Sequence, residues 1–110
     1  MHSNPQWHQQ TLIFRRSLAL KVCGWTEPKR TKQDLPWLED WLPEIELDHT
    51  YSIIDAMADR GFSLRIGRDE SEREWVVYYE GSRGESKSLA RAICLAALSC
   101  VMWREQTVTH

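Results

Sequence analysis

The side chains with which this chain could do chemistry are four histidines, three cysteines and a scatter of carboxylates. His2, His8, His49 and His110 share no metal-ligand spacing with one another or with Cys23, Cys94 and Cys100. An odd cysteine count without a CxxC pair also argues against a disulfide framework. Asp55 and Asp59 stand four apart, as paired carboxylates for acid–base or metal work would, but this spacing equally describes one solvated helix face. Asp48 and His49 could exchange a proton, or could simply start a helix. Ser82, Arg83, Gly84, Glu85, Ser86, Lys87 and Ser88 could hold an anion at a helix N-terminus. No GxxxxGK[ST] or GxGxxG accompanies them, so a strand-to-helix turn is the expected reading. No nucleophile is spaced to meet a base, so no enzyme, no cofactor and no metal is expected.

Charge and aromatic content suggest binding instead. The formal net charge is −2, but it is unevenly spread. Residues 1–33 carry Arg15, Arg16, Lys21, Lys29, Arg30 and Lys32 against Glu27, whereas residues 34–48 carry Asp34, Glu39, Asp40, Glu44, Glu46 and Asp48 with no base. The two segments either face each other or are both solvated. There are six tryptophans, of which Trp25 and Trp75 read as core. Trp37 and Trp41, beside Glu39, Asp40 and Glu44, read either as a protein contact or as a lid over the core. The alternative function is a nucleic-acid or nucleotide module using Arg15, Arg16, Arg83 and Lys87. The acidic balance and the lack of a helix-turn-helix, an RNA-binding aromatic motif or a zinc knuckle disfavour it.

The elements that must position these residues fit one domain of 110 residues and 13.0 kDa. Residues 1–10 and 105–110 read as flexible ends around a domain at 11–104. A first helix is expected from a Thr11 cap, with Phe14, Leu18, Val22 and Trp25 as its stripe and Gly24 as its stop. Pro28, Pro36 and Pro43 break the next stretch, leaving a short turn at 36–42. A second helix is expected from Asp48 or Thr50 to about Arg60, with Tyr51, Ile54 and Ala58, flanked by Ile53 and Met57, as its apolar stripe and Gly61 as its stop. Alternation marks strands at FSLRIG and EWVVYYEG, the latter apolar on both faces, with a third strand allowed near 81–87. Ser86 or Ser88 should cap a closing helix, whose Ala90, Ala92, Ala96, Ala97 and Ser99 would let it lie close to a sheet. The fold class is α+β. A small antiparallel sheet of two or three strands is sandwiched between helices, in the order α, irregular segment, α, β, β, α. No apolar run approaches the ~18 residues of a membrane helix, and no leader is apparent at MHSNPQWHQQ, so a cytoplasmic protein is expected.

The layout resembles the phage ABA sandwich family. SLALKVCGW resembles that family's opening helix, whose members commonly read like VAEKVMGW. SIIDAMADRGFSLRIG resembles its second helix running into a strand, EWVVYYEG its tryptophan-bearing strand, and SLARAICLAALSCV its closing helix. The match spans roughly residues 17–102. The acidic Trp37/Trp41 stretch departs from the run rich in Pro, Tyr, Ser and Thr usual there. The resemblance implies a small phage or prophage protein resident in the host cytoplasm, and brings no catalytic residue. Together with the tryptophans it suggests a non-enzymatic binder of a host or phage protein, such as an inhibitor of a bacterial defence system. A homodimer through the apolar end at Met102–Trp103 is compatible with it.

Overall fold

The computed structural model describes residues 5–25 and 41–108, with side chains for 9–25 and 41–104. Helix α1 spans Pro5–Ser17 and runs directly into a π turn at Leu18–Val22. It begins at Pro5 rather than at the expected Thr11, since a proline suits the first helical turn. The expected stripe goes inward, with Leu18 and Val22 fully buried and Phe14 and Trp25 packed against the core. Gly24, at φ 72°, ends the segment as expected, and the Trp25 N–H donates back to the Ala19 carbonyl at 2.9 Å.

Helix α2 spans Leu47–Asp59. Neither Asp48 nor Thr50 caps it. The cap position is Glu46, without a side-chain bond. Thr50 lies inside, fully buried, and its hydroxyl donates to the Pro43 and Glu46 carbonyls at 2.6 and 2.9 Å. The buried face is therefore Thr50, Ile53 and Met57, whereas Tyr51 is 60% exposed. The expected stripe is rotated because Thr50 satisfies its own polar group on nearby backbone and so tolerates burial. Gly61, at φ 88°, stops the helix, and the Phe62 N–H reaches the Met57 carbonyl at 3.1 Å.

Three antiparallel strands follow in the order β1 (Leu64–Asp69), β2 (Glu74–Tyr79), β3 (Ser82–Ser86). Tyr79 pairs with Ser82, leaving a two-residue turn of Glu80 and Gly81 with φ 37° and 88°, the left-handed pair that matches strand twist. Of the β2 side chains, Val77 and Tyr79 are buried in the core. On the opposite face Val76 is buried but Tyr78 is 40% exposed.

Helix α3, Leu89–Val108, starts where Ser88 accepts from the Arg91 N–H at 3.2 Å, which makes Ser88 the working cap. It continues through the residues expected to be a loose tail. It packs on β3 and β2 and also meets α2 and the π turn, so the core is built around it. Its close seat on the sheet comes from glycine. A Cβ on Gly84 would lie 2.6 Å from the Ala96 nitrogen and nearer still to the Ala92 carbonyl. The result is an antiparallel sheet flanked by helices, in the order α-α-β-β-β-α. Among the described residues no helix is long and apolar enough to cross a membrane.

Candidate binding surface

The segment 41–46 is where the chain gathers its polar contacts. Arg15 of α1 donates from Nε to both oxygens of Glu44, at 3.1 and 3.0 Å, and from Nη2 at 2.7 Å. Both side chains are about nine-tenths buried, so the pair is fork-like and shielded from water. The Leu42 N–H donates to His49 Nδ1 at 2.8 Å, the Thr50 hydroxyl holds the Pro43 carbonyl, and Ser88 Oγ donates to the Glu44 carbonyl at 3.4 Å. One short segment is thus tied to α1, α2 and the start of α3. Trp41 is 9% exposed and packs on Trp25 with ring centroids 4.9 Å apart at 54°.

Beside this segment lies a groove of about 490 Å³ between α1 and α3. Phe14, Ile45 and Leu95 supply its apolar lining, and Glu44, Ser88 and Arg91 its polar part. Ile45 is 58% exposed. The Arg91 guanidinium stands 5.6 Å from the Phe14 ring centre. Because Glu44 is matched by Arg15, the charge the groove presents is that of Arg91. Leu95 is shared with a second hollow of about 420 Å³, lined with Leu98, Ser99, Met102 and Trp103. The two hollows make a continuous apolar track along α3.

The residues singled out from sequence distribute differently from expectation. Trp37, Glu39 and Asp40 lie outside the described residues. Trp41 and Glu44 are buried, Trp41 against Trp25 and Glu44 against Arg15, although Glu44 also borders the groove. Arg15 is likewise buried, whereas Arg16 is exposed on α1. Arg83 lies on the outward face of β3, ion-paired to Glu85 and 5.8 Å from the Tyr78 ring centre. Lys87 is exposed between β3 and α3. Arg15, Arg16, Arg83 and Lys87 thus do not form one basic patch. The 82–86 stretch is a strand paired to β2 on one side, so only part of its backbone donors is free to hold an anion. Ile45, Leu95 and Arg91, which line the groove, were not singled out, because an apolar residue beside Glu44 and two positions on a helix expected to lie close to a sheet carry no signal that sets them apart.

Buried titratable groups shift in the direction burial dictates. Desolvation pushes the Cys94 and Cys100 thiols up, and pushes the Tyr79 hydroxyl up to about 12. The three cysteines are free, Cys94 and Cys100 buried and Cys23 half-buried. Among the described residues no three His, Cys, Asp or Glu side chains converge as a metal site would require. No curated protein and no solved structure matches this chain. Residues 16–98, which hold the π turn, the 41–46 segment, the sheet and the first half of α3, match the phage ABA sandwich domain, and the chain belongs to that family.

Proposed function

We propose that this phage-type domain acts by binding a protein rather than by catalysis, and that the groove between α1 and α3 is the docking surface. The observation that carries this reading is the apolar track through Ile45, Leu95 and Met102, which the closed core leaves at the surface. Arg91, the cation that the groove presents among the described residues, sets the partner's chemistry: a segment of a host or phage protein with apolar anchors and a carboxylate. Blocking a bacterial defence protein is the form of this activity that a phage setting suggests.

The test is site-directed photo-crosslinking in the native host, with the reactive group at Ile45 or Met102 and, as a comparison, at Tyr78. One common adduct from the first two positions and none from Tyr78 supports the reading. Adducts from Tyr78 alone, or none anywhere, overturn it.

A further inference from the structure

The sheet has its second surface of interest at an edge. Among the described residues β1 is hydrogen-bonded on one side only, to β2, in an unbroken register from Leu64 opposite Tyr79 to Asp69 opposite Glu74. It has no proline, lysine or bulge to blunt it, and the charges it carries, Arg65, Arg68 and Asp69, are of both signs. Ile66 sits opposite Val77, yet Ile66 is 48% exposed while Val77 is fully buried, so the core-side face of β1 overhangs the core.

We propose that this edge pairs antiparallel with β1 of a second copy, about a two-fold axis through Gly67. The choice of occupant and register rests on charge. An axis normal to the sheet keeps facing residues on the same face, so their numbers must sum to an even value. An axis at Arg65 or at Arg68 sets like charges against each other. An axis at Ile66 puts Arg65 opposite Gly67. An axis at Gly67 puts Arg65 of each copy opposite Asp69 of the other, twice, and lays Ile66 beside the stem of the second copy's Arg68. Gly67 places no side chain at the axis, and a Cβ there would meet only the Val76 carbonyl, at 3.9 Å. Asp69 is suited to the role, since its Oδ1 accepts from Ser71 and Glu72, which hold its pKa below the ordinary carboxylate value. This surface is separate from the α1–α3 groove, so either can fail alone.

Sedimentation of the full chain over a concentration series is the first measurement, and a monomer–dimer equilibrium is the expected result. Arg65→Asp should raise the dimer dissociation constant by about tenfold or more, because two attractive pairs become repulsive. Asp69→Lys should do the same, and an equimolar mixture of the two variants should form a heterodimer, because every facing pair is then of opposite charge. Should Asp69→Lys unfold the hairpin, Gly67→Cys decides. Under mild oxidation it should give a covalent dimer that the unaltered chain, with its own cysteines, does not. A monomer at all concentrations with no Gly67→Cys product overturns the proposal. So does a dimer indifferent to Arg65→Asp, or an edge filled by a strand of a different protein.

Discussion

Arg15 and Glu44 illustrate how a charge can be spent on structure. Each is nearly removed from water, and the two are held together by three hydrogen bonds. Removing Arg15 takes the guanidinium away from a buried Glu44 carboxylate, so Arg15→Ala should cost about 3–5 kcal/mol of unfolding free energy. The double variant Arg15→Met/Glu44→Met should recover most of that loss in a denaturant titration, because no orphan charge remains. Tyr79 is the opposite case. Its hydroxyl is buried and finds no hydrogen-bond partner among the described residues. Tyr79→Phe should therefore leave stability unchanged or raise it by about 1 kcal/mol. The same burial sets a pH dependence. The Tyr79 pKa is raised from 10.0 to about 12, so the unfolded chain loses this proton first as pH climbs. The protonated, folded form is fully favoured below pH 10.0, and that advantage is lost progressively up to about pH 12. Cys94 and Cys100, raised from 9.0, add to the loss and start it earlier. Stability followed by denaturation at increasing pH should fall from about pH 9, less steeply in Tyr79→Phe.

At the scale of elements, the joint between α3 and the sheet governs the fold. β3 reads SRGES, with no apolar alternation to announce a strand. Its core-facing positions are small, which is what a helix needs in order to lie close. Gly84→Ala should cost about 3 kcal/mol, because the new Cβ meets the helix backbone rather than a movable side chain. For the same reason Ala92→Gly should not rescue it, and additive losses in the double variant would show this. The second joint is Arg60, whose Nη2 donates to the Lys21 and Val22 carbonyls at 2.7 and 3.0 Å. It satisfies carbonyls at the end of the π turn from the end of α2, so one side chain ties two chain reversals together. Arg60→Ala should cost about 1–2 kcal/mol in the same titration.

Across the whole molecule, what was legible in the sequence was what local physics decides. Gly24 and Gly61 occupy left-handed stops, Ser88 caps α3, and the small Ala92, Ala96 and Ala97 lie buried where that helix meets the sheet. What depended on distant partners was not legible. The pairing of Arg15 with Glu44 spans 29 residues, and charge patterning could say only that basic and acidic segments face each other or stay solvated. Ile53 and Met57, expected as flanks of the α2 stripe, are its buried centre, and the face is turned toward Thr50 because that residue is buried by backbone hydrogen bonds rather than by hydrophobicity. The acidic–aromatic stretch was read as either a partner contact or a lid over the core, and its described members, Trp41 and Glu44, are packed into the fold as a lid would be. The surface we propose for recognition is the apolar track beside them.

The most direct test of that surface is the affinity of the crosslinked partner, once purified, for the unaltered chain and for Ile45→Asp/Leu95→Asp, titrated by calorimetry with folding checked by circular dichroism. Ile45 is 58% exposed and Leu95 lines both hollows, so the fold should tolerate the change while affinity falls about a hundredfold or more. An unchanged affinity in a folded variant would contradict the assignment of the groove.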